Sequence, residues 1–158
     1  MISDKIIEIL RDNNKYISTM ESCTGGEVAS SITNVSGASD VFKFGAVTYS
    51  NEFKIKMGVD SNLIDKYSVY SEEVSKDMAY KISNFTNSNY GIGVTGKINR
   101  ADSRNMSGSD STIFITIYDR DNDKYYSYSV EAIKDTRLDN KKYIVESINN
   151  KLLEILGG

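Results

Sequence analysis

The segment Met20-Glu21-Ser22-Cys23-Thr24-Gly25-Gly26 sets an alcohol, a thiol and a second alcohol side by side, followed by two glycines. An apolar run, Tyr16-Ile17-Ser18-Thr19-Met20, precedes it, and Val28, Ile32 and Val35 recur behind it at helical spacing. A strand, a tight turn and a helix start are therefore expected in that order. Such a turn directs backbone N–H groups and the positive end of a helix dipole at one point, which suits an anion or a developing oxyanion. The chemistry is accordingly placed at this turn, where Ser22, Cys23 and Thr24 offer three nucleophilic or hydrogen-bonding side chains above the backbone of Gly25 and Gly26.

The base that would activate such a nucleophile cannot be imidazole, because the 158 residues include no histidine. Ser-His-Asp and Cys-His catalysis are excluded on that ground. Zinc sites of the Cys/His kind are excluded too, since one cysteine supplies at most one soft ligand. The base must be Lys, Asp, Glu, Tyr or water, and Cys23, lacking a partner, reads as a small buried packing residue. Thr48-Tyr49-Ser50-Asn51-Glu52-Phe53-Lys54 lies at a strand-to-helix junction. Taken alone, it reads as an amphipathic helix with a solvated lysine. Arg137 stands at the expected start of the last helix, where it is equally an anion-binding group or a surface partner of Asp135 or Asp139.

Two other patterns invite functional readings and fail on context. Gly91-Ile92-Gly93-Val94-Thr95-Gly96 fits a dinucleotide fingerprint, and Lys97 nearly completes a phosphate loop. Ile98 stands where that loop needs Ser or Thr, and the glycines fall inside a strand with a polar loop behind them. Glycines so placed mark close approach of another backbone or of a ligand. Asp119, Asp121 and Asp123 have calcium-loop spacing but lack the glycine and distal glutamate, so they are read as a hairpin turn.

The elements that must position these residues follow from periodicity and caps. Helices are expected over 3–13 and 25–35, then from an Asn51 cap to Met57 with Gly58 ending it. Further caps are read at Ser61 and Ser71, the latter opening a helix with an inner face of Val74, Met78, Ile82 and Phe85. Thr136 caps a last helix carrying Ile144, Val145, Ile148, Leu152 and Ile155. Strands are expected at 16–20, 41–50, 90–95, 111–119 and 124–133, with a polar loop over 96–110. Tyr125, Tyr126 and Tyr128 should lie on an outer strand. Helices alternating with strands, then a hairpin, give an α/β fold: a three-layer α/β/α sandwich with a mixed β-sheet, as one domain over 1–158. The net charge of -3 and pI near 5.1 argue against a nucleic-acid binder. No apolar run suggests a membrane span, the N-terminus lacks a signal-peptide layout, and a single cysteine suits a reducing compartment, so a cytoplasmic location is expected.

Three segments together resemble the C-terminal domain of the CinA competence/damage-inducible proteins. They are Glu21-Ser22-Cys23-Thr24-Gly25-Gly26, Thr48-Tyr49-Ser50-Asn51-Glu52-x-Lys54 and Val69-Tyr70-Ser71-Glu72-Glu73-Val74. The resemblance implies the activity of the family's stand-alone members. These are nicotinamide-nucleotide amidases, which hydrolyse the carboxamide of nicotinamide mononucleotide to nicotinate mononucleotide and ammonia. It implies a pyridine-nucleotide substrate, no cofactor or metal, and a homodimer. It also assigns Ser22 as nucleophile, Lys54 as its lysine, Tyr49 and Thr95 as active-site hydroxyls, with Gly96 following, and Arg137 as the matching arginine. The chain departs from the family after Thr95-Gly96. Lys97-Ile98-Asn99-Arg100 and Ser109-Asp110-Ser111-Thr112 stand where the family carries Ile-Ala-Gly-Pro and Lys-Pro-Val-Gly-Thr, and Asp135-Thr136-Arg137 replaces Gly-Asp-Arg.

The expected reaction is acyl transfer by a Ser–Lys pair, with Tyr49 relaying the proton and Arg137 meeting the substrate phosphate. Lys97 and Arg100 would offer further phosphate contacts. An ordinary lysine has a pKa of about 10.4, and work as a base near pH 7 requires about 4 kcal/mol of differential stabilisation. Two rival expectations stand beside this: a nucleotide-binding module without turnover, and a Ser–Lys amidase for another small amide.

Overall fold

The computed structural model describes residues 1–98 and 111–157. Among these residues six α-helices and five strands follow one another as α1 (Asp4–Asp12), β1 (Ile17–Glu21), α2 (Glu27–Thr33), β2 (Phe42–Val47), α3 (Asn51–Lys56), α4 (Ser61–Tyr67), α5 (Glu72–Thr86), β3 (Tyr90–Gly96), β4 (Thr112–Asp119), β5 (Lys124–Glu131) and α6 (Arg137–Leu156). The strands form one sheet in the order β2-β1-β3-β4-β5. β1 is parallel to β2 and β3, whereas β4 runs antiparallel to both β3 and β5. Four strands therefore point the same way, and the segments following β1, β2, β3 and β5 all leave the sheet at one edge. That is where ligands bind in open α/β sheets.

Helices cover both faces, as expected of a three-layer fold. On one side Ile6, Ile7 and Leu10 of α1, Val28 and Ile32 of α2, and Ile144, Ile148 and Leu152 of α6 pack on Ile92, Val94, Ile113 and Ile115. On the other, Val74, Met78 and Ile82 of α5 meet Met20, Ala46, Val59 and Val69. The central strands β1 and β3 are buried along their whole length, while β2 and β5 form the edges. β5 is thus the outer strand that carries Tyr125, Tyr126 and Tyr128.

The glycine-rich strand has a packing explanation. A Cβ at Gly91 would lie 2.3 Å from the Ala79 carbonyl oxygen, and one at Gly93 would lie 2.3 Å from that of Ser75. α5 seats its backbone directly on β3, so these glycines serve close approach rather than a phosphate. The stripe of α5 that touches the strand is Ser75, Ala79 and Ser83. Phe85, expected inside, is 65% exposed, and its ring lies tilted against that of Phe44 on the edge strand with centres 5.5 Å apart.

Two caps move by one residue. Ser50, not Asn51, is the N-cap of α3: its backbone is extended and its Oγ accepts from Phe53 N at 3.2 Å. Asp60, not Ser61, caps α4 through Asn62 N at 2.9 Å. In both cases the expected cap is already helical, and the cap must precede the first helical residue. Ser71 and Thr136 cap α5 and α6 as expected. The aspartate-rich turn is held by Asp119 accepting from Asn122, which is turn chemistry. Among the described residues no helix is long and apolar enough to cross a membrane. The polar loop falls outside the described residues from 99 to 110.

Candidate active site

Two chemical groups 32 residues apart in the sequence meet. Lys54 Nζ donates to Ser22 Oγ at 2.9 Å and to the Thr48 carbonyl at 2.9 Å. The lysine is 2% exposed, so the reading of its segment as a solvated helix face is corrected. Position causes this. Thr48 N donates to the Glu21 carbonyl and Ser22 N to that of Val94, which extends the ladders of β1 by one step and aligns the exits of three strands. α3 then begins behind Ser50 and turns Lys54 inward beneath the Ser22 turn. Burial penalises the ammonium, and acceptors such as these offset part of that cost.

The turn itself is shaped by glycines and by a carboxylate. Gly25 and Gly26 have φ of +61° and +107°, a left-handed pair that disfavours side chains, and Gly25 N closes the turn on the Ser22 carbonyl at 2.9 Å. Both glycines lie outside α2, which starts at Glu27 rather than at 25. Glu21, fully buried, folds its side chain back over the turn. Its Oε1 accepts from Thr24 Oγ1 at 2.6 Å and Val28 N at 3.0 Å, and its Oε2 from Ala29 N at 2.9 Å. The free N–H groups of α2 are thereby taken by the protein's own carboxylate. The turn N–H groups from which no backbone carbonyl accepts among the described residues are those of Cys23, Thr24 and Gly26.

Cys23 is buried in the core, and that burial pushes its thiol up to about 12, with Lys54 and Arg137 pulling it partly back. A thiol so held is inert at neutral pH, which favours Ser22 as the nucleophile. Thr95 is fully buried and donates to the Val69 carbonyl at 2.9 Å. Gly96 is required because a Cβ there would lie 2.5 Å from the Thr112 carbonyl oxygen. Arg137 Nη1 donates to the Ile98 carbonyl at 2.7 Å, tying α6 to the exit of β3. Among the described residues it forms no ion pair with Asp135 or Asp139. Tyr49 stands at the rim, 65% exposed. Lys97 is buried, its Nζ 4.9 Å from the centre of the Tyr70 ring, while Arg100 lies outside the described residues.

The CinA C-terminal domain model matches residues 1–156. The chain belongs to that family. A CinA-like protein of Kosmotoga olearia is 42% identical over 96 residues, which is 60% of this chain and 23% of the relative. The chain thus matches less than a quarter of the length of such curated relatives. Among solved structures, a CinA superfamily protein of Klebsiella pneumoniae superposes with a TM-score of 0.88 at 18% identity, covering 98% of this chain and 94% of its own. A competence/damage inducible protein of Agrobacterium tumefaciens gives 0.82 at 21% identity, over 100% and 99%. At those identities the likeness is one of fold.

In this CinA-type site, sequence reasoning missed two residues. Glu21 ends an apolar strand beside the candidate nucleophile, and a carboxylate at that point is the signal that could have revealed a built-in cap. Lys141 follows Arg137 by one helical turn, and a Cβ on Gly25 would come within 3.3 Å of its Nζ. Only the i, i+4 spacing from Arg137 hinted at that placement.

Proposed function

We propose that this CinA-family chain is an amidohydrolase that converts nicotinamide mononucleotide to nicotinate mononucleotide and ammonia through a Ser22–Lys54 pair. The observation that carries the reading is the 2.9 Å contact between Ser22 Oγ and a buried Lys54 Nζ. With Lys54 as neutral amine, the same contact reverses: Ser22 donates its proton to Nζ while Oγ attacks the carboxamide carbon. The N–H groups of Cys23 and Thr24 hold the tetrahedral oxyanion. The lysine then returns the proton to the departing ammonia, and water cleaves the ester between Ser22 and the nicotinoyl carbon.

The direct Ser–Lys contact leaves no gap for a relay, so Tyr49 takes the role of a rim residue that meets substrate. Thr95 and Gly96 form the floor at the exit of β3, and Arg137 faces the substrate phosphate. The chemistry uses no cofactor or metal. A homodimer, a single domain over the whole chain and a cytoplasmic setting belong to the same proposal, on the strength of the family. Incubating the purified protein with nicotinamide mononucleotide, then measuring ammonia and separating the nucleotides by chromatography, tests it. Equimolar ammonia and nicotinate mononucleotide are expected. Binding of the mononucleotide without any ammonia would instead mark a nucleotide-binding module, and turnover of other amides alone would reject the substrate.

A further inference from the structure

We infer that Lys141 is a specificity-determining residue: with Arg137 it forms a two-cation clamp for a phosphate monoester on the substrate, over the nucleophile turn. The inference rests on the function proposed above and deepens it. Three observations carry it. The first is position. Gly25 lies three residues past Ser22, its backbone closes that turn, and a Cβ there would stand 3.3 Å from Lys141 Nζ. The bare Cα thus leaves room for the ammonium to lie on the turn.

The second is the pairing of cations. Arg137 and Lys141 are one helical turn apart on α6 and share a face. Arg137 is close enough to act on the Cys23 thiol and spends one N–H on the Ile98 carbonyl. The third is the lack of a counter-ion. Neither cation forms an ion pair with a carboxylate among the described residues, whereas Lys56, Lys76 and Lys81 each pair with an acid on their own helix. The carboxylate folded over the turn, that of Glu21, has both oxygens committed to Thr24, Val28 and Ala29. A protein of net charge -3 thus places two cations beside its nucleophile that have no carboxylate partner among the described residues. A fork-shaped guanidinium and a point-like ammonium suit the several oxygens of a phosphate.

The test compares wild type, Lys141→Gln and Lys141→Arg on nicotinamide mononucleotide and on its dephosphorylated nucleoside. In Lys141→Gln the preference for mononucleotide over nucleoside, as the ratio of kcat/KM values, should fall by about tenfold or more. KM rather than kcat should carry that fall, and Lys141→Arg should restore most of it. An unchanged ratio overturns the inference. A second arm needs no turnover: thermal unfolding of the full chain in inorganic phosphate against chloride at matched ionic strength. Phosphate should raise the Tm of wild type and do so clearly less for Lys141→Gln. Equal shifts overturn the clamp. Absence of mononucleotide hydrolysis by wild type would reject the proposed reaction while this arm still decides the clamp.

Discussion

Replacing Lys54 with methionine keeps the volume of the side chain and removes its amine, so it separates chemistry from folding. The hydrogen bonds from a charged donor to Ser22 Oγ and to the Thr48 carbonyl are among those lost, at about 1.5–3 kcal/mol each. Against that, a 2% exposed ammonium no longer has to be desolvated, a relief of several kcal/mol. The two effects oppose each other, and the net change in stability should lie within about 2 kcal/mol of zero. For a chain of this size that is a Tm shift of at most about 8 °C. The rate has no such compensation. Loss of the base leaves Ser22 an ordinary alcohol, and kcat/KM should fall by about a thousandfold or more, equivalent to about 4 kcal/mol of transition-state stabilisation. Ammonia release from nicotinamide mononucleotide, beside a thermal melt of each protein, reads both quantities. A folded Lys54→Met variant retaining more than a tenth of the activity would refute the assignment of the base.

Other parts of the account are open to equally direct checks. Glu21→Gln keeps the shape but turns an amide donor toward an N–H, so the melt should show a loss of about 2–3 kcal/mol; a Tm within 1 °C of wild type would remove Glu21 from its capping role. Gly93→Ala drives a methyl to 2.3 Å from the Ser75 carbonyl oxygen and should cost about 3 kcal/mol in denaturant unfolding, with no change in which substrate is used. Cys23→Ala should remain largely active. Because the folded state holds the thiol neutral up to about 12, stability linked to Cys23 is fully present below its ordinary value of 9.0 and is lost as pH climbs from there toward 12. Melts at rising pH should accordingly show wild type losing Tm faster than Cys23→Ala above pH 9, and parallel curves would contradict the burial argument.

Much of this molecule was legible from side-chain pattern, and the exceptions have physical causes. The strands, their mixed arrangement and the helices on both faces follow from apolar periodicity and turn residues, which are local signals. Lys54 was not legible by itself. A lysine on a short helix looks solvated until the sheet order brings the exits of β1 and β2 together, and only the family resemblance pointed to it. Phe85 kept the helical period but fell on the outside, because α5 presents Ser75, Ala79 and Ser83 to the glycines of β3, and small-on-small contact leaves little apolar signal. Ser50 and Asp60 each displaced an expected cap by one residue, since neighbouring Ser, Asn and Asp are equally able to cap and backbone conformation decides among them. The expectation that the dipole of α2 serves the oxyanion also changed: Glu21 occupies those N–H groups, a tertiary fold-back that the order of residues does not reveal.

The central claim is that one particular alcohol, activated by a distant amine, breaks an amide bond. Ammonia release from nicotinamide mononucleotide by wild type, Ser22→Ala and Cys23→Ala in parallel tests it most directly. The account predicts release by wild type and by the cysteine variant, and none above background from the serine variant. Undiminished release from Ser22→Ala, or its loss in Cys23→Ala alone, would contradict it.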